Sequence, residues 1–285
     1  MKAGFIGLGA MGASMARNIA LSGQLAAVWN RSLSTAREFA KQLGVEVCEN
    51  PADLASKCKV VCICVSADQD VLEVVNKLLP GLQPGTVVVD FSTVSSETAR
   101  RVAELLDRSG TAFLDSPVSG GVEGARNGAL AMMVGGDEGV LSRLMPIMNS
   151  MGKRIVHMGP VGAGQATKAV NQIMAAGINQ AVTEALAFAE SQDLPIERLI
   201  DVIASGAAAN WFLDHRGRSM TRGDFNPGFK IKLHHKDLRI CQSMARTRTF
   251  ESNVIDSTIE DYARLMEQGH GDEDISALYR LKRSR

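Results

Sequence analysis

"AGFIGLGAMGASMARNI", residues 3–19, sets a short apolar run against Gly7-x-Gly9-x-x-Gly12 and then against a stretch whose apolar residues recur at helical spacing. A strand, a glycine-rich turn and a helix in that order make an otherwise common motif informative. The first glycine permits a tight turn, the second lets backbone approach a pyrophosphate, and the third lets helix pack on strand. Unpaired N–H groups at the helix N-terminus then face the anion. Gly7, Leu8, Gly9, Ala10, Met11 and Gly12 are therefore read as the phosphate loop of a dinucleotide site.

Working outward, residues 1–163 alternate β-branched runs with amphipathic helical stretches, the pattern of a parallel sheet with crossover helices. Strands are expected at 3–7, 25–30, 45–48, 60–65, 86–91, 111–117, 129–136 and 154–159. Helices are expected at 10–22, 33–43, 69–79, 95–109 and 137–151. From residue 164 to 285 the character changes and no convincing strand follows. Residues 165–191 predict a helix of about 40 Å at 1.5 Å per residue, apolar on most faces. Such a helix needs cover all round, from its own domain, the first domain or a second subunit; a compact monomer explains it least well, and a homodimer or homotetramer through the helical domain is expected. Pro195, Gly206, Gly217, Gly223 and the "NPGF" turn at 226–229 are read as dividing the remainder into shorter helices. The basic end of "GHGDEDISALYRLKRSR" is read as a solvated or frayed terminus. The fold class is thus α/β: a Rossmann-type domain, 1–163, and an all-α substrate and dimerisation domain, 164–285, joined through a long helix.

Lys plus Arg and Asp plus Glu both count 31, and apolar residues make up 45%. That balance argues against disorder and against a nucleic-acid partner. No stretch has the apolar length of a membrane span and no signal-like segment opens the chain, so a cytoplasmic protein is expected. Three of five cysteines fall in "CKVVCICV" (58–65), yet no second ligand pair stands at zinc-like spacing. Reduced thiols on a buried strand are expected, and no metal.

The second strand ends "VWNRS". An acid at that position accepts from a ribose 2′-OH and repels a 2′-phosphate. Here Asn30, Arg31 and Ser32 offer donors and a cation instead, and arginine grips phosphate bidentately. NADP is predicted over NAD.

Three further stretches carry unusual residues. "DSPVSGG" (115–121) presents Ser119 with Gly120 and Gly121, a hydroxyl and N–H groups suited to one small anion such as a carboxylate. "FSTVS" (91–95) ends a strand with hydroxyls, where open α/β sheets bind ligands. "GFKIKLHHKDL" (228–238) holds Lys236 and Asp237 in a helical context. "GQATKAVNQIMAAG" (164–177) adds Lys168, Asn171 and Gln172 to an otherwise apolar helix. With "GFIGLGAMGASMARNI" and "DSPVSGGVEGARNGAL", and in this order, the set resembles the β-hydroxyacid dehydrogenase family almost end to end. That family includes 3-hydroxyisobutyrate dehydrogenases, tartronate semialdehyde reductases and glyoxylate/succinic semialdehyde reductases.

The resemblance implies that Lys168 is the catalytic lysine and that Ser119, Gly120 and Gly121 hold the substrate carboxylate. It implies Thr93 beside the nicotinamide end of the cofactor, Phe229 and Asp237 lining the pocket, and Lys236 contacting the cofactor. Family members carry the substrate-orienting amide three or four residues after the lysine, so Asn171 and Gln172 both stand. An intact Lys168 argues against the related imine reductases, and the short helical domain against phosphogluconate oxidation. As general acid/base, Lys168 would serve either direction of hydride transfer. Burial works against its ammonium form and a neighbouring Asp237 for it. The expected activity is NADP-dependent interconversion of a small carboxylate-bearing aldehyde (succinic semialdehyde, glyoxylate or tartronate semialdehyde) and its hydroxy acid. The alternatives are a 3-hydroxyisobutyrate dehydrogenase and a non-catalytic NADP-binding sensor. Trp211 and Phe212, in "ASGAAANWFLDHRG" (204–217), are read equally as pocket or as packing.

Overall fold

"AGFI", "VVCI" and "VVVD" carry no exposed residue, as strands covered on both faces must. In the computed structural model, which describes residues 2–283, they lie in a nine-stranded sheet. The chain opens β1 (Ala3–Ile6), α1 (Gly12–Leu21), β2 (Leu25–Trp29), α2 (Leu33–Leu43), β3 (Glu46–Val47), α3 (Pro51–Lys57) and β4 (Val60–Ile63). It continues α4 (Asp68–Leu78), β5 (Val87–Asp90), α5 (Ser96–Asp107), β6 (Ala112–Asp115), β7 (Val118–Ser119), α6 (Gly121–Arg126), β8 (Leu130–Gly136), α7 (Glu138–Met148) and β9 (Gly152–Gly159). Helices then follow: α8 (Ala163–Ser191), α9 (Ile196–Ala204), α10 (Trp211–Thr221), α11 (Ile231–Arg246), α12 (Asn253–Glu267) and α13 (Tyr279–Lys282).

The strand order is β3-β2-β1-β4-β5-β6-β8-β7, with β9 on β8. The first six are parallel and keep the doubly wound order, so the strand sequence reverses between β1 and β4. Ligands of such sheets bind at that reversal, outside the carboxyl ends of the strands. Period-2 alternation divides the core in two: Phe5, Cys62 and Val89 pack on one face, Ile6, Ile63 and Val88 on the other. Burial pushes the Cys58 thiol up to about 11 and the Cys48 thiol up to about 12, as expected of inert core residues.

The sheet is not parallel throughout: β8 runs antiparallel to β6 and β7. Residues 120–129, with only the six-residue α6 inside, are too short a connection for a parallel crossover. The chain divides into two compact units between Lys168 and Ala169. In the second, Gly217 does not break a helix. It sits inside α10, where a Cβ would press on Ile200 and Leu213, so the glycine admits close packing. The basic end is not frayed as far as described: Arg280 pairs with Glu273, Lys282 with Asp261 and Arg283 with Glu190. Ser284 and Arg285 lie outside the described residues. Helix α8, about 44 Å long, buries Ala176, Asn179, Val182, Thr183 and Leu186 but leaves Val170, Met174 and Phe188 exposed. Among the described residues no helix is long and apolar enough to cross a membrane.

Candidate active site

The loop after β1 is built by steric necessity. Gly7 takes φ 95°, and a Cβ there would meet the Cys64 carbonyl oxygen at 2.1 Å; one on Gly12 would meet that of Gly7 at 2.0 Å. A Cβ on Gly9 would meet nothing within 4 Å. The loop is therefore closed on its protein side and open at Gly9 and Ala10, with Met11 at the N-cap of α1 making no side-chain cap. That open backbone, at a helix N-terminus and at the strand reversal, fits a dinucleotide pyrophosphate.

Asn30 braces this loop rather than standing clear of it: Oδ1 accepts the Leu8 N–H at 2.9 Å and Nδ2 donates to the Ser32 carbonyl at 3.2 Å. The Arg31 side chain is 82% exposed and lies 3.3 Å from Asp70 in the first turn of α4. Ser32 is the N-cap of α2 without a capping bond; its hydroxyl meets those of Ser34 and Thr35 at 2.9 and 3.1 Å. The end of β2 thus carries one cation and three hydroxyls beside a helix N-terminus. Asp70 went unrecognised in the sequence, where it is one more acid opening a helix.

The turn after β5 is fixed from several sides. Asp90 Oδ1 accepts the Ser92 N–H at 2.9 Å and Ser92 Oγ accepts the Val65 N–H at 2.9 Å. Asp90 is wholly buried, its Oδ2 has no partner, and burial pushes its carboxyl up to about 7. Thr93 is half-buried between Ser92 and Val94. Gln165 Oε1 accepts the Val94 N–H at 3.1 Å, and its Nε2 donates to the Ser92 carbonyl at 2.8 Å. At the end of β6, Asp115 caps α8 from outside: its oxygens accept the Gly162 N–H at 2.7 Å and the Gln165 N–H at 2.9 Å. Burial pushes the Asp115 carboxyl up although these hydrogen bonds oppose it. Ser119 ends β7 half-buried, and Gly120 and Gly121, at φ 130° and 61°, turn the exposed backbone into α6. Lys168, three residues beyond Gln165, is 7% exposed.

In the second unit, α8 and α11 share a polar chain. Asn171 Nδ2 donates to Gln172 Oε1 at 2.8 Å, Gln172 Nε2 to Asp237 Oδ2 at 2.6 Å, and Lys236 Nζ pairs with Asp237 Oδ1 at 3.0 Å. Gln172 is 2% exposed, whereas Asn171 is half-buried. His234 Nε2 lies 3.2 Å from the Gln172 carbonyl, which can only accept, so this nitrogen carries a proton, and Nδ1 lies 3.0 Å from the Tyr262 hydroxyl. The Phe229 ring lies 5.2 Å from that of His234. The aromatic pair divides: Phe212 is buried in the helical core, while Trp211 faces outward, stacked on His215 at 4.2 Å.

Residues 2–159 match the model of the NAD-binding domain of 6-phosphogluconate dehydrogenase. Residues 162–282 match that of the NAD-binding domain of NADP-dependent 3-hydroxyisobutyrate dehydrogenase. The chain is 37% identical to a 2-hydroxy-3-oxopropionate reductase of Escherichia coli, over 86% of this chain and 85% of that one. It is 33% identical to glyoxylate/succinic semialdehyde reductase 1 of Arabidopsis thaliana, over 98% and 97%. Among solved structures, a Mycobacterium tuberculosis 3-hydroxyisobutyrate dehydrogenase with L-serine superposes with a TM-score of 0.91 at 32% identity, covering 99% of both chains.

Proposed function

Because the chain belongs to the β-hydroxyacid dehydrogenase family, and so is an NAD(P)-dependent oxidoreductase of small hydroxy acids or semialdehydes, we propose that it is an NADP-dependent reductase of a small carboxylate-bearing aldehyde. Succinic semialdehyde, glyoxylate and tartronate semialdehyde are the candidate substrates. The observation that carries the cofactor preference is the end of β2: residues 29–35 contain no acid, and Arg31, which pairs with Asp70 of α4, offers a 2′-phosphate a cation beside the Ser32, Ser34 and Thr35 hydroxyls.

When bound, the dinucleotide supplies the hydride. Lys168 gives the reacting oxygen its proton in reduction and removes it in oxidation. Ser119 Oγ and the N–H groups of Gly120 and Gly121 hold the carboxylate, and Thr93 borders the nicotinamide. Asn171 orients the reacting oxygen, since Gln172 is buried between Asn171 and Asp237 and serves as its brace. Asp237 and Phe229 line the substrate side, and Lys236, paired with Asp237, contacts the cofactor. The exposed Val170, Met174 and Phe188 on α8 support a homo-oligomer through the helical domain, 164–285.

Oxidation of 3-hydroxyisobutyrate is the second reading, favoured by the model matched over residues 162–282 and by the solved relative. A panel of the three aldehyde acids and of 3-hydroxyisobutyrate, each with NADP(H) and NAD(H), separates the two. Fastest turnover of an aldehyde acid with NADPH is the expected result. A strong NADH preference would overturn the cofactor assignment, and fastest turnover of 3-hydroxyisobutyrate the substrate class.

A further inference from the structure

Gln165 is 1% exposed and sits three residues before Lys168 on α8. Its amide reaches Val94 and Ser92, 71 and 73 residues earlier in the chain. The carbonyl it donates to belongs to the peptide bond before Thr93, and the N–H it accepts from belongs to the peptide bond after it. One planar side chain therefore holds both peptide bonds flanking Thr93. The backbone N–H of the same residue is fixed in turn by Asp115 at 2.9 Å. The far side of the turn is fixed by Asp90 and by the bond from Val65 to Ser92.

We infer that Gln165 is a positioning residue of the reaction: its amide sets the Thr93 turn against the helix that carries Lys168. This rests on the reading that Lys168 transfers the proton and that Thr93 borders the nicotinamide. The clamp needs an acceptor and a donor on one rigid end, which a primary amide supplies. An aliphatic side chain of similar size supplies neither and leaves a buried N–H and a buried carbonyl unpaired. A carboxylate supplies only acceptors, but a protonated carboxyl supplies an O–H for Ser92 and an oxygen for Val94. Burial at this site raises the range over which such a carboxyl keeps its proton.

The full chain is compared as wild type, Q165L, Q165E and K168A. Turnover is measured with NADPH and whichever of succinic semialdehyde, glyoxylate or tartronate semialdehyde the wild type reduces fastest. Two readouts besides activity accompany it: NADPH affinity from its fluorescence, and hydrogen-exchange protection of the Val94 amide without cofactor. Q165L is expected to lose about 10- to 100-fold in kcat, as misplacement of reacting groups does. Its NADPH Kd should stay within about three-fold, while Val94 protection falls at least about ten-fold once the hydrogen bond is gone. In kcat relative to the wild type at the same pH, Q165E should fall toward Q165L at pH 8.5, where a carboxylate faces the Ser92 carbonyl, and approach the wild type at pH 5.5; its Val94 protection should exceed that of Q165L at both pH values, because either form of the carboxyl accepts that N–H. If Q165L does not fold, Q165E decides alone, because its acid and alkaline measurements are made on one folded chain. Turnover of Q165L within about three-fold of wild type, or a Q165E-to-wild-type ratio that ignores pH, would overturn the inference. Near-wild-type turnover of K168A removes its premise and is distinguishable, since the Val94 protection data stand apart from it.

Discussion

Asp115 and Gln165 stand 50 residues apart in sequence, yet the carboxylate of the first accepts the backbone N–H of the second at 2.9 Å while also accepting that of Gly162. One side chain at the end of β6 thereby caps the 29-residue helix that presents Lys168. Asp115→Asn keeps one acceptor and turns an N–H group against the other backbone donor. A loss of about 1–2 kcal/mol in stability is expected, as for a lost cap, together with a fall in kcat. NADPH binding should hold, because residues 7–12 are untouched. Chemical denaturation, turnover and NADPH titration on the same variant check the three statements, and unchanged stability would remove Asp115 from this role.

Asp90 lies beside Asp115 in strand register, and both are fully buried. Burial raises its folded-state pKa to about 7, so the folded chain keeps this proton to higher pH than the unfolded chain does. Its contribution is most favourable below about pH 4 and is lost as pH rises through about 7, a change of up to about 4 kcal/mol. Asp90→Asn carries no charge at any pH. The variant should therefore gain stability relative to wild type between about pH 4 and pH 7, with the gain complete above it. Melting both proteins from pH 5 to pH 8.5 tests this, and parallel curves would contradict it.

The first unit was largely legible because β-branched runs bounded by glycine and proline mark strands, and Gly7-x-Gly9-x-x-Gly12 fixes where β1 ends. Helices α3 and α6, of 7 and 6 residues, escaped because they are too short to show a period. Gly217 was misplaced because a glycine that admits Ile200 resembles one that ends a helix. In the candidate site the glycine turn was readable from local spacing, whereas Lys168 stood out only as a polar residue on an apolar helix and took its proposed role from the family resemblance. The roles of Asp115, Gln165 and Asp70 were not readable, since each depends on a partner 39 or more residues away and leaves no local pattern. Asn171 and Gln172 were inseparable because adjacent residues on one helix differ in direction only once neighbours are placed.

Arg31 meets Asp70 before it meets any phosphate. A single exposed pair is worth about 0.2–1 kcal/mol, so a 2′-phosphate competing for Arg31 loses up to about five-fold in affinity. Asp70→Asn should lower the KM for NADPH about two- to five-fold and leave that for NADH unchanged, whereas Arg31→Ala should raise the NADPH value. The gain in Asp70→Asn should shrink at high salt. Equal shifts for both cofactors would show that Asp70 does not discriminate between them.

Lys168→Ala should keep the fold and NADPH binding, because the phosphate loop is built by its glycines and Asp115 caps α8 through the Gly162 and Gln165 N–H groups. Loss of a general acid/base is expected to cost more than about 100-fold in kcat. Circular dichroism and NADPH titration establish the intact protein before turnover is measured. Turnover close to wild type would remove Lys168 as the proton donor.

Asn171 and Gln172 should separate by which quantity each one moves. Gln172 Nε2 reaches Asp237 at 2.6 Å inside the helical unit, and truncating it leaves a buried carboxylate held by Lys236 without the amide. Gln172→Ala should therefore cost about 1–3 kcal/mol of stability, with any loss of turnover following from displacement of Asn171. Asn171→Ala removes a half-buried amide, whereas Gln172 is buried and holds a buried carboxylate, so the effect of Asn171→Ala on stability should be the smaller of the two. Its loss should fall on kcat/KM for the aldehyde, by about ten-fold or more if the amide holds the reacting oxygen more tightly as charge develops there. Denaturation midpoints and kcat/KM for both variants decide the matter. The reverse pattern, a folded and stable Gln172→Ala that has lost turnover beside an active Asn171→Ala, would make Gln172 the substrate amide.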